Sequence, residues 1–266
     1  MPRLLMRILL LLAVAFGTPL QAQVFERFGI REGLPSEVVN DVALGPDGLL
    51  WVATDGGLAR YDGHGFTVWS HHPDDLSTLP SSRIFAVAPA AGEVWVGTVE
   101  GLARLDLRTG ASHHIGAMPT SRVEDIVADA DGTLWVGYRG AGLWRYRPAR
   151  DEATLVPFAR DGVPYRGRII SLAAHDGAVW AALGTASDQS AVVCRVDPVR
   201  LACADTHLGE DWRLLEDAGQ AVLLHTDPDT GSSHLDWLNA GERWVLSPSV
   251  NAEEAFRSIL RTSPDQ

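Results

Sequence analysis

Lysine is absent from this chain: all 22 basic residues are arginine. Gene base composition alone accounts for that, so no function is read from it. Cysteine is scarce, with two in 266 residues. Such a pair makes a poor zinc site. No G-x-S-x-G, H-E-x-x-H or P-loop signature occurs, nor a G-x-G-x-x-G set between a strand and a helix. The usual hydrolase, metalloprotease and nucleotide-binding sites are thereby excluded. Beyond residue 22 no apolar run reaches 18 residues, too short for a membrane-spanning helix. Positive charge is outnumbered, with 34 acidic residues and a net charge of −12. That balance excludes duplex nucleic acid and anionic membrane surfaces as main partners. What is abundant is apolar content, 46%, which excludes a disordered chain. Twenty-six glycines and 15 prolines without a Gly-X-Y period indicate many turns.

The first 22 residues read as a secretory signal peptide. Arg3 and Arg7 give a basic start, and Ile8 to Phe16 an apolar run. Gly17, Thr18 and Pro19 break it, and Leu20-Gln21-Ala22 offers a small-residue cleavage site. The alternative is an uncleaved N-terminal anchor. The mature chain, without Arg3 and Arg7, has 20 arginines against 34 acidic residues, a net −14. The expected location is periplasmic, with no membrane span in the mature chain.

A repeat organises the remainder. Trp51, Trp95, Trp135 and Trp180 recur at spacings of 44, 40 and 45, each three residues after a glycine. A fifth copy around Val222 to Asp227 has lost the tryptophan. Each unit divides into four short strands rich in Val, Trp, Tyr and Phe, punctuated by Asp-Gly turns. Four strands every 40–45 residues make one blade of a β-propeller. The expected fold is all-β. Blades are placed at about 38–70, 83–116, 122–158, 168–208 and 212–246, with orphan strands at 24–28 and 256–261. The ring is thus incomplete, and the chain reads as a truncated piece. The alternative is an open ring whose edges self-associate. The tryptophans are expected to fill the space between blades rather than to stack on sugars.

Gly33-Leu34-Pro35-Ser36, Asn40-Asp41-Val42, Asp47-Gly48-Leu49-Leu50-Trp51-Val52-Ala53-Thr54 and Gly57-Leu58-Ala59-Arg60-Tyr61-Asp62-Gly63 resemble the two-component regulator propeller repeat. The likeness spans about residues 24–246 and weakens toward the C-terminus. It implies the exported sensor region of a histidine kinase or diguanylate cyclase. In such proteins a β-sandwich, a membrane helix and a cytoplasmic output domain come next, and none follows here. The chain is therefore expected to bind a small-molecule or oligosaccharide ligand, to need no cofactor, and to perform no catalysis itself. A stand-alone exported binding propeller is the alternative. A propeller lyase or glycosidase is disfavoured by the missing catalytic constellation.

Few residues stand out as a site. Cys194 and Cys203 sit symmetrically about the turn Pro198-Val199, so a hairpin there places them face to face within disulfide reach. Two small buried thiols are the alternative. Arg83, Arg122 and Arg168 occupy equivalent positions before the first strand of consecutive blades. Three guanidinium groups at one propeller mouth suit an acidic ligand, either an acidic oligosaccharide or a small organic acid. Alternatively each pairs with a carboxylate such as Asp41, Glu124 or Asp125 and only balances charge. His71-His72 and His113-His114 read as a solvated rim, Asp129-Ala130-Asp131-Gly132 as an ordinary turn, and no metal site is expected.

Overall fold

The computed structural model describes residues 27–157 throughout. Beyond them it describes residues 167 and 168 and the strands named below, with side chains at 167–174, 179–184 and 194–196. The leader and the strand expected at 256–261 lie outside the described residues. Of the strand expected at 24–28, Arg27 and Phe28 are in irregular backbone and the rest lies outside. Phe28 instead packs on Tyr61 and Phe66, with ring centroids 4.8 and 5.8 Å away.

Alternating apolar residues and Asp-Gly or Gly-containing turns produce antiparallel four-stranded meanders. The first sheet comprises β1 (Val39–Leu44), β2 (Leu50–Thr54), β3 (Gly57–Tyr61) and β4 (Phe66–Trp69). The second comprises β5 (Ile84–Ala90), β6 (Glu93–Thr98), β7 (Gly101–Asp106) and β8 (Ser112–His114). The third comprises β9 (Val123–Ala128), β10 (Leu134–Tyr138), β11 (Gly142–Arg147) and β12 (Glu152–Leu155). A short hairpin, β13 (Ala159–Arg160) with β14 (Val163–Pro164), precedes the fourth sheet. That sheet comprises β15 (Ile169–His175), β16 (Ala178–Gly184), β17 (Ala191–Val196) and β18 (Leu201–Leu208). The fifth comprises β19 (Trp212–Asp217), β20 (Gln220–Thr226), β21 (Ser233–Trp237) and β22 (Glu242–Val245). The first strands of consecutive sheets pack side by side, which is the arrangement of propeller blades.

The core lies between blades. Trp51 packs with Ile84, Val87, Val94 and Val96 of the second blade. Trp95 does the same with Val123, Ile126 and Tyr146 of the third, and Trp135 with Ile169 and Leu172 of the fourth. In each of the first four blades the tryptophan pairs across strands with an arginine: Trp51 with Arg60, Trp95 with Arg104, Trp135 with Arg145, Trp180 with Arg195. The Arg60 guanidinium lies 5.5 Å from the Trp51 ring, within cation–π range. The arginine stem thus screens the indole while its charged head stays near water.

A second repeating contact fixes the distance between blades. Val123 and Ile169 begin their strands fully buried, opposite Gly97 and Gly137 of the preceding blade. The equivalent residue of blade one, Val39, is 45% exposed, whereas its counterpart Ile84 is fully buried. Among the described residues nothing covers the β1 face as blade one covers β5.

β17 and β18 pair with Cys194 directly opposite Cys203. Cys194 is buried and disulfide-bonded, and Cys203 is the only other cysteine of the chain. The expected bond closes a short loop, for which chain entropy gives about 2–3 kcal/mol. Protein from an oxidising compartment, unfolded without reductant, should therefore take up no alkylating reagent, and reduction should lower its stability by that amount. Two labelled thiols in the unreduced sample would refute the bond.

Candidate functional site

The geometry of the site begins with a β-bulge. In β1 the register skips Asn40, in β5 Phe85, in β9 Glu124 and in β15 Ile170. A bulge turns the extra residue out of the alternating pattern and re-aims its side chain. These four residues share one end of the inner strands. There the carbonyl before each first strand accepts an N–H from the end of the second strand or the turn just after it. The pairs are Asp55 to Val38, Val99 to Arg83, Arg139 to Arg122 and Gly184 to Arg168, at 2.8–3.2 Å. That repeated bond brings the residue before the inner strand beside the turn between the second and third strands.

The bulge side chains reach to the following blade. The Asn40 amide donates to the Ile84 carbonyl at 2.8 Å. The Phe85 ring carries the Arg122 guanidinium 3.6 Å from its centroid, with Arg83 at 5.6 Å. Glu124, whose side chain is only 4% exposed, holds three arginines. Arg122 Nη2 lies 3.0 Å from Oε2, Arg168 Nε 3.1 Å from Oε1, and Arg139 Nε 3.9 Å from Oε1. Burial draws the Arg122 pKa below its ordinary value; Glu124 opposes that, and the charges of Arg139 and Arg168 add to it. Of the three arginines singled out by sequence, Arg122 and Arg168 thus converge on one carboxylate. Arg83 stands apart on Asp55, at 3.9 Å. Arg139 and Phe85 were missed. Arg139 comes from a turn rather than from the repeated position, and Phe85 owes its orientation to a bulge. A cleft of about 590 Å³ lined by Phe28, Ile30, Leu34 and Val39 opens elsewhere, on blade one.

Below Glu124, Asp125 clasps the next blade. Its Oδ2 accepts the Leu172 N–H at 2.6 Å and the Ser171 hydroxyl at 3.1 Å, and its Oδ1 accepts the Ile126 N–H. Asp41, two blades earlier, accepts the Val87 N–H at 2.8 Å in the same way. Removal from water, with the negative charge of Asp41, pushes Asp125 up to about 7, against the pull of its hydrogen bonds. Burial likewise raises Asp41. A carboxyl whose folded pKa exceeds its unfolded value holds its proton more tightly when folded. The associated stability is complete below about pH 4 and is lost as pH rises through 7. Asp62, Asp75, Asp106 and Asp131, held low mainly by hydrogen bonds within their turns, act only below that window. The melting temperature should therefore rise between pH 7.5 and 5.5, and Asp125→Asn should flatten the rise. Parallel profiles for the two proteins would refute the assignment.

His71, His72, His113 and His114 are exposed, and His71 Nδ1 lies 2.7 Å from the Leu79 carbonyl oxygen. No group of three side chains able to hold a metal occurs among the described residues. No helix among them is long and apolar enough to cross a membrane.

Comparison with known proteins places this geometry. Residues 33–56, which run from Gly33 through β1 and β2, match the model of the two component regulator propeller family. Over 56 residues the chain is 36% identical to histidine kinase P4 of Formosa agariphila, covering 21% of this chain and 4% of the kinase. The fold is similar to an extracellular domain assigned to a hybrid two component system of B. thetaiotaomicron. The TM-score is 0.64 at 18% identity, covering 82% of this chain and 31% of that one. It is equally similar, at 12% identity, to a streptogramin B lyase, with 85% of this chain and 74% of that one covered. At these identities both likenesses establish the fold alone. The chain spans less than a third of that extracellular-domain chain and 4% of the kinase. It is a β-propeller chain in which residues 33–56, the stretch leading into and through β1 and β2 of blade one, match the two component regulator propeller model.

Proposed function

We propose that the chain is the exported, ligand-sensing propeller of a longer signalling protein of the histidine kinase type. The observation that carries this reading is the regulator-propeller repeat in blade one, residues 33–56. The fold likeness to an extracellular two-component domain supports it. So does the leader-like start, with Arg3, Arg7 and the apolar run from Ile8 to Phe16. In this reading the blades form a rigid frame. A ligand at the end carrying the bulges changes the free energy of blade packing, and an attached output domain reads that change. The first experiment is to characterise the native gene product. A polypeptide continuing beyond Gln266 into further repeats, an apolar segment of about 20 residues and a cytoplasmic output domain is expected. A mature exported product ending at Gln266 would overturn the signalling assignment and leave a stand-alone binding propeller.

A further inference from the structure

The Glu124 cluster holds more cationic groups than one carboxylate neutralises. Arg122, Arg139 and Arg168 come from two blades and three separate segments, yet all lie within 4 Å of Glu124. Even with Arg168 assigned wholly to other partners, Arg122 and Arg139 still face a single negative charge. Mutual repulsion of guanidinium groups in a partly buried site is unfavourable, so the fold holds them together against a cost. On a mature chain with a net charge of −14 this is a local reversal of sign.

Glu124 also shows what the cluster accepts. Its Oε2 accepts from Arg122 Nη2 at 3.0 Å and from Arg168 Nη2 at 3.4 Å, charge-assisted hydrogen bonds to a carboxylate, and its Oε1 lies 3.1 Å from Arg168 Nε as an ion pair. It behaves as an internal ligand that sets the separation of the guanidinium planes. Arg122 is pinned by the Phe85 ring on its face and by Glu124 at Nη2, and a quarter of its side chain stays exposed to oxygen acceptors. Its Nε is buried and makes no hydrogen bond within the described residues. Arg139 is half exposed and only loosely held, 3.9 Å from Glu124. Its planar fork is therefore able to turn outward and donate two parallel hydrogen bonds.

We infer that this end of blades two to four binds a small organic carboxylate, with Arg139 and the exposed part of Arg122 as the anion contacts and Glu124 as the internal carboxylate with which the ligand competes. The inference rests on the ligand-sensing reading and names the ligand class for it. Phosphate or sulfate would meet the same charge, so the assay must separate the geometries.

The test is titration calorimetry of the mature chain at constant ionic strength with succinate, with sodium sulfate and with the neutral succinamide. Succinate is expected to bind, succinamide not to bind, and sulfate to bind more weakly. Arg139→Ala, at an exposed position that leaves the blade cores intact, is expected to weaken succinate at least tenfold. Glu124→Gln, if folded by circular dichroism, is expected to strengthen it several-fold by removing the competing carboxylate. A purely structural ion-pair cluster would show no such gain. Equal succinate binding by wild type and Arg139→Ala overturns the proposal, as does succinate binding no stronger than added chloride. Tighter sulfate than succinate binding reassigns the class and also overturns it. A neutral metabolite that stabilises the wild type and Arg139→Ala alike would refute the carboxylate inference while leaving the sensory reading standing.

Discussion

Trp95→Ala is expected to cost about 3–5 kcal/mol, the range for truncating a buried aromatic side chain. Trp95 is 3% exposed and sits in the layer between blades two and three. Its indole meets the Tyr146 ring edge-on, with centroids 5.8 Å apart, and adjoins Val123, Ile126 and Val136. Alanine leaves a cavity that two stiff sheets cannot close, because both are fixed by their own ladders. At about 2–4 °C per kcal/mol for a chain of this size, the melting temperature should fall by roughly 6–20 °C. Trp180→Ala provides the internal control. It holds the same slot in blade four but is only partly buried, so its loss should be smaller. Thermal unfolding followed by tryptophan fluorescence and by circular dichroism would check both. Equal losses at the two positions would mean that the slot, and not the burial, sets the energy.

The reason Trp95 could be chosen from sequence shows how far sequence carries. A tryptophan at the same place in four units, each flanked by apolar alternation and glycine turns, has one economical reading. It is a residue that every blade presents to the next. Burial of Trp51, Trp95 and Trp135 between sheets agrees with that reading. The all-β propeller class followed from the same periodicity, because the signal repeats and its errors average out. The site was less legible. Arg122 and Arg168 were visible as repeated residues, but their common partner Glu124 differs from its counterparts Asn40, Phe85 and Ile170. A bulge has no composition of its own, so the sequence offers Glu124 only as one of three candidate partners, with Asp41 and Asp125, and does not single it out as the residue turned toward the arginines. The tryptophan–arginine pairs were hidden for a related reason. Trp51 and Arg60 lie nine residues apart, and only the hairpin register makes them neighbours. Asp125 looked like a partner for arginine. The structure gives it three hydrogen-bond donors instead, from Ile126 and from Ser171 and Leu172 of strand β15.

Gly137→Val is expected to cost about 3 kcal/mol, the upper end of the range for overpacking a filled core. Gly137 lies in β10 with ordinary extended backbone, so valine there is favoured locally. Replacing glycine also restricts the unfolded chain, which stabilises by up to about 1 kcal/mol. Sterics oppose both and dominate. A Cβ at Gly137 would lie 2.6 Å from Ile169 Cγ2 and 2.9 Å from its Cβ, and valine adds two methyl groups beyond it. Ile169 is 1% exposed and wedged into the layer between blades three and four, so it has nowhere to turn. Ala53 and Ala182 fill the corresponding slot in blades one and four. Those slots tolerate one methyl, but at Gly137 the Cβ itself meets Ile169, so Gly137→Ala should already destabilise and Gly137→Val more so. The decisive comparison is Ile169→Ala made in both backgrounds. Alone it should destabilise by about 2–5 kcal/mol through a cavity. In the Gly137→Val protein the valine methyls occupy that cavity, so the second change should cost far less and the coupling should exceed about 1 kcal/mol. Additive losses in denaturant titrations would show that the two residues do not interlock. The spacing of blades three and four would then be set by the Asp125 clasp rather than by this knob and its hole.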